Sequence, residues 1–133
     1  LKIYVAGPMT GIPQFNFPAF HRTASALRDL GHEVFNPAEH DESLGLDAEH
    51  MTGEEDLSAL GFSLREMLHV DTSFICREAD AVCLLPGWKN SKGAMAELTL
   101  ARALGLKAGD LKHFIMGDVP LADYVFKRDI FAC

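Results

Sequence analysis

Short apolar runs and longer stretches of helical periodicity alternate along the chain. Lys2-Ile3-Tyr4-Val5-Ala6 is a β-branched and aromatic run halted by Gly7-Pro8, which suits a central parallel strand. Phe17, Phe20, Ala24, Leu27 and Leu30 recur at helical spacing up to Gly31, behind Asn16 as a candidate N-cap with Pro18 near the first turn. His32-Glu33-Val34-Phe35-Asn36 reads as a second strand ended by Pro37. From Phe62 a helical face returns with Leu64, Met67, Leu68, Asp71, Phe74 and Ile75, and it ends before Asp80. Asp80 to Pro86 reads as a third strand and Gly93 to Leu104 as a third long helix, ended by Gly105. Leu111 to Met116 reads as a fourth strand, stopped by Gly117, and the tail from Pro120 to Phe131 as a short helix.

This β-α-β-α-β-α-β pattern predicts an α/β fold. It is a doubly wound, flavodoxin- or Rossmann-like parallel sheet of four or five strands, order 2-1-3-4(-5), with helices on both faces. Residues 37–61 break the pattern: they are acidic, contain glycine and show no clean period, so they read as a mobile surface loop or as a lid over the ligand crevice. With 133 residues, 48% of them hydrophobic and nine of them Phe, residues 1–133 make one well-packed domain. No apolar run approaches 18 residues, and the N-terminus lacks a basic region followed by an apolar stretch, so neither a membrane partner nor a signal peptide is expected.

Cys76, Cys83 and Cys133 form no CxxC pair, and an odd count fits a reducing, cytoplasmic setting. The six histidines are scattered without metal-ligand spacing, so neither a metal nor another cofactor is expected. The net charge of −7 is concentrated: positions 37–60 hold eight acids and no Lys or Arg, leaving 12 basic against 11 acidic residues elsewhere. A nucleic-acid polymer finds no basic face on such a chain, and a small anion would have to be held by backbone N–H groups and a few side chains.

Chemistry centres on the run Ser91 to Ala103, a strand-turn-helix exit carrying Glu97. In an open parallel sheet this glutamate would face the crevice beyond the strand ends, or would be an acid favoured by the helix dipole. Gly7 to Gly11 can present consecutive N–H groups to a phosphate or a sugar, although any strand-to-helix turn favours such residues. Asp71 lies on or beside an apolar helix face, where an acid is costly.

Tyr4-Val5-Ala6-Gly7-Pro8-Met9, Asp71, Ala79-Asp80-Ala81-Val82, and Gly93 followed by Glu97 resemble, in order and spacing, the nucleoside 2-deoxyribosyltransferase superfamily, which includes 2-deoxynucleoside 5-monophosphate N-glycosidases. Phe15-Asn16-Phe17-Pro18-Ala19-Phe20, Gly31-His32-Glu33-Val34 and Leu85-Pro86-Gly87-Trp88 are more similar to a small phage- and prophage-associated branch of it.

The resemblance implies Glu97 as nucleophile, Asp71 as the acid that protonates the departing base, and Gly7, Pro8, Met9, Thr10 and Gly11, with Tyr4, as the wall contacting sugar or phosphate. Ser91 stands where the transferases carry an aspartate, and the monophosphate glycosidases resemble this chain in having serine there. A hydroxyl can hydrogen-bond a 5-phosphate that a carboxylate would repel. Lys92 and Gly93 adjoin it at the helix start. Trp88 could stack on a base at the crevice mouth or simply pack, and Phe15 and Phe17 could cover the other face of the base or belong to the core.

The implied reaction is N-glycosidic cleavage of a 2-deoxynucleoside 5-monophosphate, or deoxyribosyl transfer between bases, through a glutamyl-enzyme. The expected partner is a small nucleoside or nucleotide, in a likewise implied homo-oligomer. The competing reading is a non-catalytic nucleotide-binding or sensor module of the same fold.

Overall fold

The computed structural model describes residues 1–131; Cys133 lies outside them. Four strands, β1 (Lys2–Ala6), β2 (Glu33–Phe35), β3 (Ala81–Leu84) and β4 (Lys107–Gly109), form a parallel sheet in the order β2-β1-β3-β4. Strand alternation in β1 sends Ile3 and Val5 to one face and Tyr4 and Ala6 to the other; Ala81 and Cys83 likewise oppose Val82 and Leu84 in β3. Two cores result, one per face. The first is closed by α1 (Phe17–Asp29), α2 (Pro37–Ser43) and α5 (Leu111–Met116) through Phe17, Phe20, Leu27, Ala38 and Phe114. The second is closed by α3 (Leu64–Arg77), α4 (Lys92–Ala103) and α6 (Ala122–Phe126) through Ile75, Leu98, Ala101, Val125 and Phe126.

The fourth strand is not where the apolar run suggested. Leu111–Met116 is helical, because Asp110 accepts the His113 N–H in a reciprocal capping box and Gly117, at φ 76°, ends the turn. The strand is instead the three residues before Asp110, paired with Ala81 to Cys83. The acidic segment is also more structured than expected. Asn36 caps α2, its side-chain oxygen taking the Ala38 N–H at 2.9 Å with Pro37 as the first helical residue. Beyond α2, Leu46 and Ala48 are buried in the first core. Among the described residues no helix is long and apolar enough to cross a membrane.

The link from β1 to α1 is locally strained. Gln14, Phe15 and Asn16 all have positive φ, 58°, 50° and 61°, a run that costs non-glycine residues about 1–2 kcal/mol each. Asn16 therefore precedes α1 without capping it; its amide nitrogen donates to the Pro8 carbonyl at 2.9 Å. The acidic segment holds this turn, with Gly11 N–H donating to Gly53 O and Gln14 N–H to Met51 O, each at 2.7 Å.

Gly53 makes the approach possible: its φ is +93°, and a Cβ there would lie 2.1 Å from the Ile12 carbonyl oxygen. Gly53→Ala should cost about 2 kcal/mol or more, a fall in Tm of roughly 5–10 °C. Gly45→Ala has a similar φ of +99° but open space around it and serves as the control. Equal losses in the two variants would show that the contact contributes nothing.

Candidate functional site

At the carboxyl ends of β1 and β3 the chain leaves toward opposite faces of the sheet, and this divergence opens a cavity of about 660 Å³. Its floor is Tyr4, the loop Gly7 to Thr10 forms one edge, and α4 contributes Ser91, Lys92, Gly93 and Glu97. The first core supplies an apolar wall that includes Phe15, Phe17, Phe20 and Leu46, while α3 adds Met67, Leu68 and Asp71. The left-handed turn thus serves the cavity directly, since it turns Phe15 inward.

Glu97 is 5% exposed and accepts a 2.5 Å hydrogen bond from the Tyr4 hydroxyl. Burial raises its pKa to about 8; the Tyr4 bond works in the opposite direction and the Asp71 charge in the same one. Asp71 is pushed up to about 6, again chiefly by burial, with Tyr4 drawing it back, and its Oδ1 is sealed from solvent without a hydrogen-bond partner. Tyr4 itself is held well above the ordinary phenol value by burial and by the two acids.

A third acid belongs to the same cavity. Asp41, on α2, is 4% exposed, its Oδ1 has no hydrogen-bond partner, and burial together with the Asp71 and Glu42 charges pushes it up to about 7. In the sequence it is one of eight acids in an apparently irregular segment. The Asn36-Pro37 cap signal could have placed it on a helix, but seven residues are too few for a period that would have turned it inward. Among the described residues none of the three acids is in an ion pair, and no group of three or more His, Cys, Asp or Glu is arranged to hold a metal ion.

Two residues singled out in the sequence stand elsewhere. Trp88 does not line the cavity; it is half-buried against the second core, with Lys89 Nζ 5.7 Å from its ring centroid. It opens the single 3-10 turn Trp88–Asn90, which follows Gly87 at φ 85°. Gly11 is likewise outside the lining, and its N–H is already given to Gly53, so it has no donor left for a phosphate. Ser91 lines the cavity and also caps α4, its Oγ accepting the Ala94 N–H at 3.1 Å. Its own O–H remains a donor.

The three acids make stability depend on pH in a stated direction. Folding raises the proton affinity of each, so their contribution is fully present below the unfolded value near 4 and is lost as the pH climbs through about 6 to about 8. Asp41→Asn should therefore raise Tm more at pH 8 than at pH 5, by about 5 °C. Thermal melts at the two pH values test this, and an equal effect at both would contradict burial of an ionisable Asp41.

None of the curated proteins matches the chain. Residues 1–109, which include all four strands and every residue of the cavity, match the model of a domain of unknown function, DUF4406. The chain belongs to the DUF4406 family.

Proposed function

We propose that the protein cleaves the N-glycosidic bond of 2-deoxynucleoside 5-monophosphates, with deoxyribosyl transfer between bases as the variant in which a second base replaces water. The observation that carries this reading is Glu97, a carboxyl buried on the cavity wall and oriented by the Tyr4 hydroxyl, with Asp71 from another helix on the same cavity. Such a pair suits a retaining displacement at a sugar carbon.

In this mechanism a Glu97 oxygen attacks C1, the C1–N bond breaks, and its electron pair stays on the base nitrogen, which takes the Asp71 proton. Water then attacks C1, Glu97 departs as carboxylate, and Asp71 recovers a proton from the water. The reactive form is Glu97 ionised with Asp71 protonated. With about 8 and about 6 as the two values, the protein's own groups favour the opposite placement, and the Tyr4 hydrogen bond to Glu97 draws the first value down toward the reactive form. Charge developing on the sugar strengthens the same preference, because an oxocarbenium-like centre is stabilised by an adjacent carboxylate.

The phosphate end is supported by α4. Ser91, Lys92 and Gly93 line the cavity where α4 begins; the Lys92 and Gly93 N–H groups lie in the first turn, the Ala94 N–H being taken by Ser91 Oγ, and the helix dipole there favours an anion.

Incubation with deoxynucleosides and their 5-monophosphates, followed by detection of free base, tests the activity. Glu97→Ala should abolish base release while nucleotide binding persists, because a nucleophile acts on the reaction more than on ground-state affinity. Unchanged base release by the folded variant would overturn the assignment, whereas binding without turnover by the native protein would select a sensor module. The pH dependence of kcat/KM should be bell-shaped, falling below about 6 as both acids become protonated and above about 8 as both become ionised. A profile flat from pH 5 to pH 9 would exclude the two carboxyls.

A further inference from the structure

We infer that Asp41 selects the ligand: the α2 wall of the cavity receives an N–H donor, so that the preferred nucleotides carry an exocyclic amino group on the base where their counterparts carry an oxo group or none. This rests on the nucleotide reading proposed above and adds to it the class of base.

The polar groups of the cavity lie on two sides of β1. The α4 residues Ser91, Lys92 and Gly93 follow β3, and Asp41 sits on α2, which follows β2. β1 lies between β2 and β3, so it separates the strands that lead to these two polar ends. That separation suits a nucleotide with its phosphate at α4 and the far edge of its base at α2. Between the ends the wall is apolar, with Phe15, Phe17 and Leu46.

Asp41 meets the requirements of a ligand-binding group rather than a structural one. It is 4% exposed, it borders the cavity, and its Oδ1 meets no donor among the described residues. An unpaired buried acceptor is costly, and its acidic neighbours, Asp71 and Glu42, add repulsion instead of a donor. An amino group at that edge supplies the missing hydrogen. With Asp41 ionised, as it is above about pH 7, a carbonyl oxygen in its place sets acceptor against acceptor, which discriminates by repulsion as well as by attraction.

The test compares nucleotides that differ at the amino position: dCMP with dUMP, and dGMP with dIMP. The native protein should favour the amino member in kcat/KM by ~10-fold or more. In Asp41→Asn the side-chain amide can donate to an oxo group, so kcat/KM for dUMP should rise while that for dCMP falls. A folding defect cannot produce that gain. Native ratios within twofold of one, or ratios unchanged in Asp41→Asn, overturn the inference and leave the glycosidase reading standing. If no nucleotide yields free base, the glycosidase reading fails, and ligand-induced shifts in Tm decide the selection. A larger shift with dCMP than with dUMP supports it, and equal or absent shifts overturn it.

Discussion

Carboxyl groups buried without cationic partners are the constraint around which the rest of the structure is arranged. A buried phenol needs an acceptor and a buried carboxyl needs a donor; Tyr4 and Glu97 supply each other, and in doing so tie β1 to α4 across the gap where the chain changes faces. That tie depends on Tyr4 pointing to the α4 side of the sheet, which follows from the alternation of β1, and on Glu97 lying in the second turn of α4. The register of the parallel pair β1–β3, with Tyr4 opposite Val82, sets the height of the floor. Shifting β1 by one residue would turn Tyr4 into the other core and leave Glu97 buried without its donor.

The electrostatic character of the cavity is therefore graded. Acids occupy the floor and the α2 side, whereas the α4 end offers backbone donors, a hydroxyl and an exposed lysine. A ligand that is anionic at one end and rich in donors at the other is aligned by both ends at once. Apolar side chains between them keep the field strong, because charges interact more effectively where water is excluded.

Much of this architecture was legible in the amino-acid pattern. The order β2-β1-β3-β4 follows from continuous apolar strands separated by amphipathic helices; Glu97 could be singled out as the acid on the strand-turn-helix exit after β3, and Asp71 as an acid on or beside an apolar helical face. The errors came from short elements. Lys107-Ala108-Gly109 has no β-branched residue and pairs over only three positions, so the neighbouring Leu111–Met116 run carried the stronger strand signal although a cap made it a helix. Asp41 was hidden in an acidic segment for the same reason. Trp88 shows a different limit: its position after β3 was correct, but whether a ring at that position packs on the core or lines the cavity depends on side-chain placement that spacing does not encode.

The docking of the acidic segment on the β1–α1 turn bears on how the family's sequences can vary. Two backbone hydrogen bonds, from Gly11 to Gly53 and from Gln14 to Met51, join two loops that are both fixed at their ends by secondary structure. Backbone groups make these bonds whatever side chains they carry, so most exposed positions between α2 and α3 are free to drift in chemistry, Gly53 excepted. Chain length is not free in the same way. An inserted or deleted residue between Leu46 and Gly53 would shift both pairings out of register and release the strained turn that turns Phe15 toward the cavity. Substitution should therefore be common at the exposed positions of this stretch and length variation rare between Leu46 and Gly53.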